Sequence, residues 1–177
     1  MNSNEFKSWA AQVTEVLVEL ASQHSDYPLG TNELRKATSN HTDLPQKLQP
    51  LYEVCDGMSL PDVHNGYFID PAQRVTSASK RGEPILVEGS QSIPILVFGS
   101  DGGGGRFVLG TVDGAVYYLP SSGAVKNSTY IEDSVVTARR VAGGVIEFLW
   151  RLKDDINAFV YGHEDHVYLT NEIPERS

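Results

Sequence analysis

A run of four glycines between two apolar segments constrains the fold of this chain more than any other feature. The glycines occupy positions 102–105, after the apolar residues 95–98 and before the apolar residues 107–112. Glycines that link two strands supply positive φ angles or a bulge at a tight turn. Strands that follow one another through a short loop pair antiparallel. The sequence therefore predicts an antiparallel hairpin whose turn is the glycine run.

A phosphate-binding loop is the alternative interpretation of the same glycines. A P-loop requires a lysine and then a serine or threonine directly after its last glycine, whereas Arg106 and Phe107 follow here. The dinucleotide-binding pattern G-x-G-x-x-G also fails, because Phe107 or Val108 occupies its final position. Both patterns need a helix after the loop, and the residues after this loop predict a strand. The sequence favours a turn over a nucleotide site.

Apolar residues at helical spacing predict a long helix near each end of the chain. The first covers residues 4–22 and the second residues 141–160, where Gly143 and Gly144 weaken the first turn and move the stable start later. Lys153, Asp154 and Asp155 are expected on the exposed face of the second helix. The two stripes consist of Phe6, Trp9, Ala10, Val13, Val16, Leu17 and Leu20, and of Val145, Phe148, Leu149, Leu152, Ile156 and Phe159.

Shorter helices are predicted between these two. One covers residues 32–37 with Thr31 as its cap, and another lies within residues 74–81. A third begins at Asp43, is bent at Pro50 and stops at the Asp56-Gly57 pair. Its buried face is expected to contain Leu48, Leu51, Tyr52 and Cys55.

Short apolar runs separated by turn residues predict strands in the middle of the chain. They lie at residues 67–69, 84–87, 95–98, 107–112 and 115–119. The sequence therefore predicts one α+β domain over residues 1–177, with a central, mainly antiparallel sheet of about five or six strands flanked by helices from both termini. Residues 1–30 are expected to form a helical extension and residues 161–177 a polar tail, in which residues 167–169 can dock as a small strand.

Composition narrows the classes of partner. The net charge of −9 argues against direct binding of nucleic acid, which needs a basic surface, and favours a basic protein partner. No apolar run reaches the length of about 20 residues that a membrane-spanning helix needs, and the first residues lack a secretory signal pattern. A single cysteine, Cys55, fits a reducing compartment and is expected to be a buried thiol. We therefore expect a cytoplasmic protein with no membrane contact.

The sequence contains no recognised catalytic motif. His163 and His166 stand three residues apart with two acids between them, which is not the H-E-x-x-H zinc pattern, and a solvated turn is the better interpretation. His64 lies in a predicted turn with no serine or cysteine tied to it by a motif. We therefore expect no catalytic residue, no cofactor and no metal.

Several short motifs follow one another in a specific order. They are Asp43-Leu44-Pro45, Leu51-Tyr52, Asp56-Gly57, Ile93-Pro94-Ile95 with the glycine run, Gly114-Ala115-Val116-Tyr117, and Phe148-Leu149-Trp150-Arg151-Leu152. In this order they resemble the SMI1/KNR4 family of the SUKH superfamily, over about residues 43–152. Arg106 departs from the family pattern, which often has an acidic or small polar residue after the glycines, and Asp56 is a milder departure.

The resemblance implies a non-enzymatic protein-binding domain. Bacterial members of the superfamily are commonly immunity proteins that neutralise toxins by direct contact, and fungal members are interaction scaffolds in cell-wall signalling. A cognate toxin with a basic nuclease domain would suit the acidic charge. The contact residues chosen from turn placement and charge are Glu53, Asp56, Tyr67, Asp101, Arg106 and Asp113. A regulatory domain that binds a small ligand or nucleotide through the loop at residues 101–106 stays open as the alternative.

Overall fold

The computed structural model describes residues 3–24, 26, 29–37 and 43–171, and it contains four α-helices around one large sheet. The helices are α1 (Ser3–Gln23), α2 (Gln49–Tyr52), α3 (Ala72–Thr76) and α4 (Val145–Tyr161), with a short 3-10 helix at Ser79–Arg81. None of the helices in these residues is long and apolar enough to cross a membrane. The combination of four helices with one large, mainly antiparallel sheet belongs to the α+β class that the sequence predicted.

Ten strands form the sheet in the described part of the chain, which is more than the predicted five or six. They are β1 (Glu33–Lys36), β2 (Cys55–Leu60), β3 (Tyr67–Ile69), β4 (Leu86–Glu88), β5 (Ser92–Asp101), β6 (Arg106–Gly110), β7 (Val116–Leu119), β8 (Ala124–Lys126), β9 (Thr129–Ile131) and β10 (Arg139–Ala142). Several of the unpredicted strands are short and have no apolar alternation; β8, for example, is exposed throughout. Such strands are defined by their neighbours, and a sequence pattern gives little sign of them.

The long strand β5 organises the sheet. Its second half pairs with β3 and its first half with β4, while its other edge pairs with β6. One path therefore runs β1-β2-β3-β5-β6-β7-β10, entirely antiparallel, and a branch of β4, β9 and β8 leaves from the start of β5. The only parallel pair among the described strands is β4 with β9. The glycines at residues 102–105 join β5 to β6 as an antiparallel turn, as predicted.

Side chains on the central strands alternate between two hydrophobic cores, as the two-residue period of a strand requires. In β6, Phe107 and Leu109 face the larger core, whereas Val108 faces the smaller one. The larger core lies under α1, α2 and α4, and the smaller one lies under the β4, β8 and β9 branch, where Tyr130 is fully buried. Helices from the beginning and the end of the chain thus cover the same face of the sheet.

The helices α1 and α4 confirm the two predicted amphipathic segments. They pack against each other, and the indole Nε1 of Trp9 donates a hydrogen bond to the carbonyl of Leu149 at 2.7 Å. Phe148 packs edge-on against Phe98 with ring centroids 5.4 Å apart. Fully burying a large apolar side chain stabilises a fold by about 1.5–3 kcal/mol. Helix α4 begins at Val145, directly after the two glycines that were expected to delay it.

Two predicted helices were wrong. Residues 33–36 form strand β1 because they pair with β2, and such tertiary pairing overrides a weak helix preference. The segment from Asp43 onward contains turns and only the four-residue helix α2 before β2 begins at Cys55. Gly57 therefore lies inside a strand, with φ +82°, where a Cβ atom would stand 2.4 Å from the carbonyl oxygen of Ile69. Its role is a close backbone approach and not a helix stop.

Candidate functional site

Asp155, in α4, is the most deeply buried charged side chain in the described residues, with 1% of its surface exposed. The hydroxyl of Tyr67 donates to its Oδ2 atom at 2.5 Å, and the backbone N–H of Leu169 donates to the same oxygen at 2.9 Å. The Oδ1 atom is 2.7 Å from Nε2 of His166. Asp155 therefore joins strand β3, helix α4 and the segment after α4 at one point.

The sequence-based placement of Asp155 on an exposed helical face was wrong. Asp154 is exposed as expected, but Asp155 lies three residues after Leu152 and seven after Phe148, which are both fully buried. That spacing puts it on the core-facing stripe of the helix. An acid in line with an apolar stripe was the signal in the sequence, since a buried carboxylate needs partners that hydrogen-bond to it.

The segment of residues 163–171, which we call the C-terminal segment, folds back over α4. Gly162 turns the chain with a left-handed φ of 70°, and the ring of Tyr168 then stacks on that of His64 with centroids 3.9 Å apart. Leu169 is buried in the larger core. The segment forms no strand, and it is anchored to the body at His166, at Tyr168 and at Leu169.

The histidine pair of this segment is only partly the solvated turn that was expected. His163 is exposed and residues 164–165 form a turn, but the side chain of His166 is only 24% exposed and is paired with Asp155. Within the described part of the chain, no group of three or more histidine, cysteine or acidic side chains is placed to hold a metal ion. His64 lies in a turn as predicted, with φ 53°.

Burial shifts the acid–base behaviour of this cluster. Removal from water raises the pKa of Asp155, against the opposing effect of the hydrogen bonds from Tyr67, His166 and Leu169. Burial also raises the pKa of the Tyr67 phenol, whose hydroxyl stays a donor. The pKa of His64 is lowered, first by burial, although Asp155 and Asp101 act in the opposite direction. The neutral form of His64 is therefore favoured in the fold.

A cavity of about 180 Å³ lies beside this cluster, between β10, α4 and the C-terminal segment. The lining residues with acidic or basic side chains are Arg139, Arg140, Arg151, Asp154, Asp155 and His166. Arg139 donates to the carbonyl oxygens of Thr170, at 3.0 Å, and Asn171, and its guanidinium lies 5.0 Å from the centre of the Tyr118 ring. The C-terminal segment thus forms one wall of a cavity that contains three arginines.

The structure separates the contact residues that the sequence predicted. Glu53 and Asp113 are exposed, and Asp113 accepts hydrogen bonds from Tyr117 and from the N–H of Ala115. Asp113 lies beyond the end of β6 opposite to the glycine turn, and the strand between them spans roughly 13 Å. The remaining predicted contact residues are Asp56, Tyr67, Asp101 and Arg106.

These four residues are largely engaged within the fold. Tyr67 is fully buried, and Asp101 is 7% exposed. Asp56 accepts the N–H of Ala72 at the start of α3, and Arg106 forms an ion pair of 2.8 Å with Glu83. Tyr67 and Asp101 face each other as partners across β3 and β5. The six predicted residues therefore do not form one patch.

The glycine loop has little capacity left to bind an anion. The N–H of Gly102 donates to Gly66, that of Gly104 to the carbonyl of Asp101, and that of Gly105 to Oδ1 of Asp101 at 2.7 Å. The carboxylate of Asp101 also accepts the hydroxyl of Tyr118 at 2.6 Å. A phosphate cradle needs free amides and no nearby negative charge. The arginine-lined cavity is therefore the better candidate for ligand binding.

Comparison with known proteins adds no identity. No protein-family model matches the chain, and no curated protein matches it significantly. The resemblance to the SMI1/KNR4 family therefore depends on the short motifs in the sequence.

Proposed function

We propose that this chain is a protein-binding domain of the SMI1/KNR4 type, and specifically an immunity protein that neutralises a cognate toxin by direct contact. The motifs that resemble the family occur on the β5–β6 turn, on β7 and on α4, which are central elements of the sheet and its covering helix. The observation that carries the proposal is the acidic surface of the molecule.

Most exposed carboxylates of the described residues have no cationic partner. The ion pairs use only the acids Asp70, Glu83 and Asp155. The exposed acids outside these pairs include Glu15, Glu19, Asp26, Glu33, Asp43, Glu53, Glu88, Asp113, Asp133, Glu147, Asp154, Glu164 and Asp165. An unneutralised negative surface accelerates association with a basic protein and repels nucleic acid. A toxin domain whose cleft binds phosphates carries the complementary charge.

Two pairs of these acids are candidate contact residues. On α1, Glu15 and Glu19 flank Val18, which is 65% exposed, so the helix offers an apolar side chain within a negative rim. Glu53 and Asp113, from the set predicted by the sequence, are the other exposed pair. Both groups lie outside the buried cluster at Asp155 and can be changed without removing its hydrogen bonds.

The decisive experiment is co-expression with a cognate toxin domain, to be sought among the products of the genes adjacent to the gene of this protein. We expect this protein to restore the growth of cells that produce the toxin domain, and we expect the purified pair to form a complex that weakens as salt is raised, because salt screens exposed charges. Unchanged toxicity in the presence of folded, soluble protein would contradict the proposal.

Charge-reversed variants identify the contact surface. We compare Glu15→Lys/Glu19→Lys with Glu53→Lys/Asp113→Lys, which change the net charge equally. Both pairs are expected to slow association, and the pair at the interface is also expected to accelerate dissociation. Lys80→Gln, at an exposed residue of the 3-10 helix, is the control and should leave binding unchanged. A complex that is insensitive to both reversals and to salt would exclude an electrostatic interface.

A further inference from the structure

The lining of the cavity beside Asp155 contains three arginines and two aspartates, in a chain whose net charge is −9. Arg139, Arg140 and Arg151 line it, and in the described part of the molecule none of them forms an ion pair. Arg74, Arg81 and Arg106, in contrast, are all paired with Asp70 or Glu83. Arg35, away from the cavity, also forms no ion pair among the described residues and donates to the carbonyls of Met58 and Ile69.

Two carboxylates also line the cavity but do not neutralise the arginines. Asp155 directs its oxygens to Tyr67, His166 and Leu169, and neither it nor the exposed Asp154 forms an ion pair with an arginine of the described residues. The Nε2 atom of His166 is hydrogen-bonded to Asp155. The three arginines therefore form no ion pair with a described carboxylate, and the ring of Tyr118 lies 5.0 Å from the guanidinium of Arg139.

Main-chain oxygens hold two of the guanidinium groups in position. Arg139 donates to the carbonyls of Thr170 and Asn171, and Arg151 donates to the carbonyl of Val141. A carbonyl accepts a hydrogen bond without cancelling the charge, and each guanidinium has five N–H donors. The Nε atom of Arg139 is buried and has no hydrogen-bond partner among the described residues. Both groups are thus oriented while part of their donor capacity stays unused.

The size of the cavity limits its ligand. Its volume is about 180 Å³. Sites for nucleotides and other drug-sized ligands occupy about 300–1,000 Å³. The available space suits an ion or group of a few heavy atoms.

We propose that this cavity binds a small oxyanion, namely a phosphate or carboxylate group, through Arg139, Arg140 and Arg151. Arginine presents paired N–H donors at the spacing of two oxyanion oxygens, and such charge-assisted bonds are stronger than neutral ones. The bound group contacts β10, α4 and the wall formed by the C-terminal segment. The same oxyanion chemistry is available from a free ion or from an acidic side chain of another protein.

Titration of the full chain with inorganic phosphate tests the site, at constant ionic strength with chloride as the replaced anion. We expect saturable binding, together with an NMR shift of the buried Arg139 Nε–H signal. Arg140→Gln/Arg151→Gln should weaken phosphate binding at least about tenfold, because both changes remove charged donors. The control Arg74→Gln/Arg81→Gln removes the same charge elsewhere and should change affinity by less than about twofold.

A parallel titration with acetate separates the two sources of oxyanion. If acetate binds saturably and phosphate does not, as followed by the Arg139 Nε–H signal, the natural ligand is a carboxylate group of a partner protein. If phosphate binds more tightly than acetate, the natural ligand is a free ion. The proposal is overturned if neither anion binds better than chloride, or if both double variants weaken binding equally. Arg140 and Arg151 are exposed, so we expect the double variant to fold. A circular dichroism spectrum of the variant verifies that it is folded.

Discussion

Asp101 and Asp155 are chemically similar residues in two very different regions. Each is buried, each accepts a tyrosine hydroxyl, from Tyr118 at 2.6 Å or Tyr67 at 2.5 Å, and each also accepts a backbone N–H. The N–H that Asp101 accepts belongs to Gly105, only four residues away. Asp155 instead connects β3, α4 and the C-terminal segment. The same chemistry closes a local turn in one place and anchors a distant segment in the other.

The difference lies in how much of the chain depends on each carboxylate. The glycine turn is already bounded by the β5–β6 hairpin, so Asp101 reinforces a structure that strand pairing defines. The C-terminal segment has no ladder, and two of its contacts with the body, at His166 and at Leu169, end on Asp155. Loss of Asp155 should therefore have wider consequences than loss of Asp101.

The largest effect is expected from Asp155→Ala. The change leaves the hydroxyl of Tyr67 and the N–H of Leu169 buried without an acceptor, and each such donor costs about 1–3 kcal/mol. We expect the free energy of unfolding, measured by urea denaturation, to fall by about 3 kcal/mol. Limited proteolysis should also begin to cleave within the C-terminal segment.

The neighbouring residue supplies the control. Asp154→Ala, on the exposed side of α4, should change stability by less than about 0.5 kcal/mol. Asp101→Ala should destabilise less than Asp155→Ala and leave the C-terminal segment resistant to protease. If the two buried aspartates have equal effects, or if Asp154→Ala matches Asp155→Ala, the distinction between a local and an anchoring carboxylate fails.

The sequence predicted those parts of the fold that short-range patterns define. The stripe of α1, the delayed start of α4 after Gly144 and the glycine turn all depend on residues within one or two turns of each other. Strand β1 and the burial of Asp155 depend on partners far along the chain, such as Ser59 opposite Glu33. No local pattern identifies such partners, although the position of Asp155 on the apolar stripe was a visible sign.

The candidate site was missed for the same reason. The arginines of β10 and α4 are separated in the sequence. They line one cavity only because the C-terminal segment folds back and forms its remaining wall. Loop chemistry directed attention to Asp101 and Arg106, which hold the turn and a surface ion pair. Turn residues are easily recognised, but recognition does not show whether they serve the fold or a partner.

A smaller effect is expected in the glycine turn, where two alanine substitutions form a matched pair. A Cβ at Gly105 would lie 2.2 Å from the hydroxyl oxygen of Tyr118, whose ring packs 5.5 Å from that of Phe107, so Gly105→Ala must displace the bond to Asp101. We expect it to lower the free energy of unfolding by about 2 kcal/mol.

The exposed Gly103 provides the comparison. A Cβ added at Gly103 would lie 3.5 Å from its nearest neighbour, Oδ1 of Asp101, which is an ordinary contact. Gly103→Ala should therefore change the free energy of unfolding in urea by less than about 0.5 kcal/mol. Equal losses from the two substitutions would show that the turn requires glycine for backbone freedom throughout. A harmless Gly105→Ala would mean that the Tyr118–Asp101 bond contributes little.

The smallest expected effect is a pH dependence confined to the C-terminal segment. Because burial lowers the pKa of His64, its contribution to stability is complete above the ordinary value of 6.5 and is lost as the pH falls through the lower folded value. The groups that face it are Asp155, Asp101 and His166. Asp155 acts in another window, since its pKa is raised: its contribution is complete below 3.8 and is lost as the pH rises through the folded value.

Amide hydrogen exchange measures this difference directly. When the pH is lowered from about 7.5 to about 5.5, we expect the protection factor of the Leu169 N–H, which is its intrinsic exchange rate divided by the observed rate, to fall. The reason is that protonated His64 is less stable beneath Tyr168. The N–H of Gly105, held by Asp101, should not change in the same way. His64→Asn retains a residue that tolerates the positive φ of 53° and should abolish the extra pH dependence, whatever its basal rate. If the dependence persists in that variant, His64 does not control the segment, and the two aspartate-anchored regions respond to acid alike.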